Sequence, residues 1–525
     1  MGASRLTRRQ LLERGGAVTG GILGLGAAGL IGFELPHGKA AVTSSAAPAG
    51  STPSSAVDGQ PTYDPDVIVR RFVTRPDLTP PAITVTSIGT GAPATPPYVF
   101  LSSKGYPGNG PGQAGNMILD RSGRIIWFQP SGQLAYLGFD TQTYQGKPVL
   151  TWWQGKVVAG HGEGEDVIAD ASYKIIAQVR AGRGLDADLH EFAITPQDTA
   201  LITAYRSAPQ DLSKVGGKAG DYVLAGNVQE VDIATGKLLF EWDSLDHVPV
   251  TETMTPFTGG TRKLPFDYFH INSIAVAPDG DLLISGRNTC AVYKVSRSTG
   301  KVAWRLGGRK SSFSMSSGTR FYFQHHVRSH GASMLSVFDD GGSPPQIEKQ
   351  SRAILIDLDT ATMTARLRKE YKHPAGVAAA NQGSMQLLPD GRVFVGWGNE
   401  PYFSEFSAAG QLTLDGEFPV SDQSYRAFTA AWTGTPTEKP AISAHVNPAG
   451  GAIIYASWNG ATQVAGWRVL GGKAPATLAP AGQQEWHGLE TAIAVPGTGP
   501  YFAVAPYDAG GAELGRSKAV KIQHA

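Results

Sequence analysis

Short apolar runs of about five residues, each closed by an Asp-Gly, Thr-Gly or Gly-Gly turn, follow one another along most of this chain. The clearest unit lies between Pro265 and His330. There Ile274, Val276 and Pro278 alternate with small residues up to the Asp279-Gly280 turn, and Leu282–Ser285, Ala291–Val295 and Lys301–Leu306 follow as three more runs. No stretch of this length carries a helical period. A chain patterned this way is constrained to hairpins in series.

The unit recurs in degenerate form. Residues 228–242 and 354–367 repeat the pattern of 292–304, and the Asp-Gly hairpin at 276–285 matches the one at 387–396. Further strand-like runs lie at 98–103, 115–120, 124–129, between 166 and 206, and at 442–458 and 491–506. An interval of roughly 60–80 residues is too long for a solenoid and predicts an all-β, six-bladed β-propeller with four-stranded blades. A small N-terminal β segment, about 67–100, is expected to pack against it or close its first blade. A pair of β-sandwiches is the structural alternative.

The abundance of Gly and Pro (66 and 35 of 525 residues) has no strict period, so it reads as turns rather than collagen. Lys+Arg 45 against Asp+Glu 44 leaves a net charge of +1, which gives no global field to recruit nucleic acid or an anionic membrane. The single cysteine, Cys290, rules out an intramolecular disulfide and reads as a small buried apolar residue.

Three segments follow from composition. Residues 1–39 carry Arg5, Arg8, Arg9 and Arg14 ahead of a Gly- and Ala-rich apolar run, and Thr7-Arg8-Arg9-Gln10-Leu11-Leu12 looks like a twin-arginine export signal. Such a signal implies an extracellular or cell-envelope protein, membrane-anchored where the signal stays uncleaved. Residues 40–66 are an Ala/Ser/Pro-rich linker with too few large apolar side chains to pack. Residues 67–525 are the folded domain, with no further run long and apolar enough to span a bilayer.

Radial blades aim their innermost strands at a central channel, so polar residues opening such strands converge there. Four stretches qualify: Asp186–Phe192 with His190, His270–Ser273 with Asn272, Gln324–Arg328 with His325 and His326, and Asn381–Ser384. A single histidine of this kind is ordinarily a hydrogen-bonded core or surface residue. His190, His270 and His325, about one repeat apart, make a shared channel site the better reading. In a regular strand His270 and Asn272 share one face, and only one of His325 and His326 can enter the channel. Arg287 ends the run after His270 and offers a permanent charge with planar donors. Tyr268, Phe269, Tyr322 and Phe323 can line a wall for an aromatic ligand, although such residues are more often core.

The segments at 75–81 (RPDLTPP), 270–276 (HINSIAV), 285–287 (SGR), 299–308 (TGKVAWRLGG), 323–328 (FQHHVR) and 388–401 (LPDGRVFVGWGNEP) resemble the arylsulfotransferases that use no soluble sulfonucleotide donor. The first and last look most like the fungal and actinobacterial branch. The resemblance covers roughly residues 70–510. It implies a six-bladed propeller that passes a sulfuryl group from an aryl sulfate donor to a phenolic acceptor, by ping-pong through a sulfohistidine and without a cofactor. The family's nucleophile follows a glutamine and falls on His325. Its other histidines and its arginine fall on His270, His190 and Arg287, and its asparagine on Asn272. The chain departs from the family in its doubled His325-His326, which leaves the nucleophile open between the two, and in lacking the cysteine pair of some enterobacterial members.

The chemistry is sound on its own terms. A neutral imidazole is a good nucleophile near neutral pH, and a covalent adduct splits transfer into two easier steps. Fixed cationic donors such as Arg287 suit charge spread over equatorial oxygens, and His270 or His190 suits protonation of a leaving phenolate. Three other readings stand beside it. Zinc on three histidines lacks the helix spacing of common motifs and has an arginine beside it. A non-catalytic propeller binding a carbohydrate or protein would draw on Trp152, Trp153 and glycine-rich loops. A quinone-dependent dehydrogenase would carry a coloured cofactor.

Overall fold

A computed structural model of the chain describes residues 68–88, 95–105, 112–419, 421–497 and 499–524. The segments read as signal (1–39) and linker (40–66) lie outside the described residues. The described chain is all-β apart from one short helix, Ser244–His247, and two 3-10 turns. No described helix is long and apolar enough to cross a membrane.

Six sheets follow in chain order, each with four antiparallel strands at its heart and three of them carrying a fifth short strand. The second runs from Ala135–Tyr144 to Ile175–Val179, the third from Phe192–Ile194 to Leu238–Asp243, and the fourth from Ile271–Val276 to Val302–Gly307. The fifth runs from His325–Ser329 to Thr364–Tyr371, and the sixth from Ser384–Leu387 to Leu412–Glu417. The first sheet is assembled from both ends of this region: Tyr98–Gly105, Gly115–Asp120 and Ile125–Pro130 are completed by Ala427–Ala430. No single sheet closes on itself. The N-terminal segment Thr84–Ser87 pairs with Leu412–Glu417 and so extends the sixth sheet, leaving completion of the first to Ala427–Ala430.

Middle strands such as Leu282–Gly286 are buried along their whole length, because each sheet packs face to face on both neighbours. Separate apolar cores fill all six gaps. Leu283, Val292 and Leu306 of the fourth sheet meet Val327, Val337 and Ile354 of the fifth. In the gap that joins the two ends, Val99, Leu101 and Met117 of the first sheet meet Phe394, Phe403 and Leu414 of the sixth. Fourth strands are half exposed; Thr364–Tyr371 alternates. First strands meet their neighbours in turn: Ala135–Tyr144 meets Phe192–Ile194, Ile271–Val276 meets His325–Ser329, His325–Ser329 meets Ser384–Leu387, and Ala427–Ala430 touches both Ser384–Leu387 and Ala135–Tyr144, while the third sheet reaches Ile271–Val276 through Thr199–Gln210.

Residues beyond the ring form two further sheets, Ala441–Val446/Ala452–Ser457/Glu490–Val495 and one built around Gly466–Gly472 and Tyr501–Tyr507, with an apolar core of their own. Asn459 fastens this unit to the first sheet by accepting from the Phe128 N–H and donating to the Phe128 carbonyl, both at 2.9 Å.

The closing strand is also gripped from the sixth sheet, by side chains. Ser384 Oγ donates to the Ala427 carbonyl and accepts from its N–H (3.0 and 3.2 Å). Two residues on, the Gln386 amide does the same for Thr429 (3.0 and 2.9 Å). Gln386→Ala leaves the buried Thr429 backbone unpaired on that side. We expect a lower urea midpoint, corresponding to about 1–3 kcal/mol lost.

Candidate active site

His325 opens the fifth sheet and is 1 % exposed. Its Nδ1 lies 2.7 Å from Asp340 Oδ2, and its Nε2 accepts from the Gln382 N–H at 3.2 Å. A nitrogen that accepts from a backbone N–H carries no proton of its own, so Nδ1 bears the hydrogen and Nε2 the lone pair. Burial pushes the imidazole pKa well below its ordinary value, and Arg287, His190, His270 and Arg426 add to that. The loop that presents Gln382 is shaped by Asn399 of the 388–401 segment, whose side-chain oxygen accepts from the N–H groups of Ala380 and Asn381 (2.7 and 3.2 Å). Gly398 has φ +65, and a Cβ there would lie 2.4 Å from the Asn381 carbonyl oxygen, so the loop can approach only over a glycine.

His326 faces elsewhere. Its ring lies against Phe428 and its Nδ1 sits 3.1 Å from the Met385 carbonyl, between the fifth and sixth sheets. The pairing register shifts between His325 and Arg328, and His326 has φ +50. This local break separates the two rings.

Arg287 follows the second strand of the fourth sheet. It donates to Asn288 Oδ1 (2.7 Å), Ser343 Oγ (2.7 Å) and the Ala380 carbonyl (2.9 Å), and its guanidinium stands 5.2 Å above the Phe323 ring. Its Nε is buried with no hydrogen-bond partner. These acceptors are all neutral, and no carboxylate pairs with Arg287 among the described residues. The result is a positive charge with no carboxylate in ion-pair contact, although Asp340 lies within its electrostatic reach.

His270 precedes the first strand of the fourth sheet with φ +52, an uncommon conformation for a residue with a Cβ. A bulge between Ile271 and Ser273 breaks the alternation expected for His270 and Asn272. The His270 ring turns to Asp267, whose Oδ2 makes a short contact with Nδ1, while Asn272 is fully buried and donates to the Gln324 carbonyl at 2.6 Å. Gln324 in turn donates to Ser285 Oγ and the Gly286 and Ala291 carbonyls. Asn272 and Gln324 therefore lock the fourth sheet to the fifth at the level of the histidines. Burial lowers the His270 pKa to about 4, although Asp267 opposes the shift.

His190 contacts Asp188 through Nδ1 at 2.5 Å. Its ring centroid is 4.8 Å from that of His270 and 5.8 Å from Tyr425, which lies 6.4 Å from His325. His161 completes the group at 5.1 Å from His270 and 4.4 Å from Tyr205. Thus His190, His270, Arg287 and His325 are brought together. Tyr268 is fully buried in the apolar core between the third and fourth sheets, with no face open to a ligand. Tyr322 is half-buried and its N–H donates to Asp339, whereas its neighbour Phe323 is the aromatic residue beneath Arg287.

Behind these rings lies a buried ion network. Arg426 donates to Glu191 Oε1 (3.1 Å) and to the carbonyls of His190 (2.8 Å) and Asn272 (3.0 Å), while Arg328 reaches Glu191 from the fifth sheet at 2.9 Å. Burial opposes ionisation of Glu191, but the two guanidiniums hold its carboxyl below the usual range. A cleft of about 170 Å³ opens nearby, lined among others by Asp140, Trp153, Asp166, Arg328 and Phe428; of the ring cluster only His190 reaches it.

Asp188, Asp267 and Asp340, one carboxylate per histidine, were not singled out from the sequence. Asp188 and Asp267 had a local signal, lying two and three residues before their partners. Asp340 lies 15 residues on and had none. His161 lies in an Ala-Gly-His-Gly-Glu-Gly run whose glycines were the readable clue.

The chemistry on view is that of an all-β protein with buried imidazoles gathered beside a guanidinium that no carboxylate contacts as an ion pair among the described residues. The family model described as arylsulfotransferase (ASST) matches residues 140–419, the segment that supplies His161, His190, His270, Arg287, His325 and Asp340. The chain belongs to the arylsulfotransferase family, and that membership supports aryl sulfotransferase activity in general. No curated protein matches it. Among solved structures, a protein of unknown function from Bacteroides caccae is similar at 10 % identity over 63 % of this chain and 98 % of that one, with a TM-score of 0.38. Virginiamycin B lyase from Staphylococcus aureus is similar at 9 % identity over 63 % and 88 %, with a TM-score of 0.32.

Replacing Arg426 by Leu strands the Glu191 charge with only Arg328 beside it. Loss of one partner from a buried pair is expected to cost about 3–5 kcal/mol, read as a large fall in the unfolding midpoint.

Proposed function

We propose that this chain is a six-bladed β-propeller enzyme that moves a sulfuryl group from an aryl sulfate to a phenol by ping-pong, through a sulfohistidine at His325. Six sheets with a core in every gap support the propeller reading. In that reading residues 67–525 hold the catalytic domain, exported by the twin-arginine-type signal at 1–39. The observation that carries the function is the pairing of His325, whose Nε2 holds its lone pair toward the Gln382 N–H that a substrate would displace, with a guanidinium that no carboxylate contacts as an ion pair among the described residues.

In the first half-reaction Nε2 attacks sulfur, the N–S bond forms and the S–O bond to the aryl group breaks. Arg287 meets the negative charge on the sulfuryl oxygens, and its unpartnered Nε–H is a donor free for that purpose. Asp340 accepts from Nδ1–H and steadies the positive charge that develops on the ring. The leaving phenolate takes a proton from His190, which Asp188 orients. In the second half-reaction the acceptor phenol returns a proton to His190, its oxygen attacks sulfur, and His325 is released. His270 adds a second imidazole beside the sulfuryl group, held by Asp267.

Intact-protein mass after incubation with 4-nitrophenyl sulfate and no acceptor tests this. Wild type and His326→Ala are expected to gain one SO3, and His325→Ala none. No gain by folded wild type with several donors would instead favour a non-catalytic binding propeller.

The depressed pKa of His325 has a further consequence. The group stays unprotonated below the ordinary imidazole value of about 6.5. With 4-nitrophenyl sulfate, whose leaving group needs little protonation, the single-turnover rate of SO3 uptake should hold nearly level from about pH 8 to pH 6. A rate that halves near pH 6.5 would contradict this reading of the His325 environment.

A further inference from the structure

The group made by His161, Asp267 and His270 has more donor atoms than its hydrogen bonds use. His161 Nε2 (3.2 Å) and His270 Nδ1 both point at Asp267 Oδ2, and one ligand atom from each of the three residues lies within 4.8 Å of the other two. Asp267 Oδ1 is buried with no hydrogen-bond partner, and His161 Nε2 has none beyond its ion-pair contact with Asp267, a condition that native interiors rarely tolerate without a ligand or water.

The scaffold around the three donors is built for position. His161 opens the strand His161–Ala169 just after a two-residue turn in which Ala159 has φ +49 and Gly160 φ +86. The next residue, Gly162, donates its N–H to Asp188 Oδ1 at 2.6 Å, and a Cβ there would lie 2.5 Å from the Leu189 nitrogen. Only a glycine lets the hairpin tip come this close. His270 enters from the fourth sheet in its left-handed conformation. Backbone strain of this kind is held where the surroundings over-determine it, commonly at a functional site.

We propose that His161, Asp267 and His270 bind a divalent transition-metal ion, with zinc the best match. Two imidazoles and one carboxylate with a position left open are a zinc-type donor set, whereas magnesium and calcium prefer oxygen alone. Ligation through Nδ1 leaves His270 Nε2 uncoordinated. The ion adds positive charge one ring away from His190, where an anionic substrate gains from it. The inference does not depend on sulfohistidine chemistry.

The test uses the full chain, stripped with a chelator and titrated with Zn2+ and, separately, Mg2+ in a calorimeter. One equivalent of Zn2+ and no Mg2+ is expected to bind. His161→Gln and Asp267→Asn should each weaken Zn2+ binding at least tenfold while keeping the wild-type melting transition. Loading wild type with Co2+ should give visible d–d absorption typical of imidazole ligation, a readout that needs no substitution. Failure of wild type to take up a stoichiometric equivalent, a colourless Co2+ form, or uptake that neither substitution weakens would overturn the assignment. Because no sulfate ester is present, the result is separate from the SO3 mass measurement.

Discussion

A buried guanidinium ties together segments of three sheets at the level of the histidines. Arg426 sits immediately before the closing strand, is 5 % exposed, and spends its donors on Glu191 and on backbone carbonyls of the His190 and Asn272 segments. Arg328 brings the fifth sheet to the same carboxylate. Desolvating such a group costs several kcal/mol, and apolar packing would commonly be no less stable. What apolar packing lacks is direction: carbonyl oxygens accept only along certain lines, so this network sets where His190 and Asn272 stand relative to the closing strand.

The rest of the site is hung from that frame by short, strained departures from regular strand geometry. His270, Phe323, His326 and Gln382 all have positive φ, and the register shifts beside both His270 and His325. A regular strand turns alternate side chains to opposite faces and would separate groups that must meet. Each break re-aims one ring, and the surrounding apolar cores supply the rigidity that keeps it there.

These breaks mark where sequence reading stops. The hairpin pattern, the turns and the repeat were legible because side-chain alternation and turn chemistry are local. So were His190, His270, Arg287 and His325, since each opens or ends an apolar run. The choice between His325 and His326 was not legible: it depends on a bulge, and a bulge depends on which partner strand pairs where. Asp340 and Arg426 were hidden because their partners are remote in the chain. Tyr268 misled for the opposite reason, since an aromatic residue two before a candidate histidine looks the same whether it faces a ligand or the core. The role of Gln324 was legible only as a marker; the structure shows it tying three backbone and side-chain acceptors of the fourth sheet.

The first sheet is completed by a strand from the far end of the ring, so that Thr429 meets Tyr98 across 331 residues of sequence. Loop-closure entropy makes so distant a pairing slow to form. During synthesis the apolar faces of the first and sixth sheets have no partner until the closing strand has left the ribosome. Much of the chain before Ala427 must therefore wait, collapsed but unlatched, for this one strand, and the interval before it emerges is the period in which the chain most needs protection from other chains.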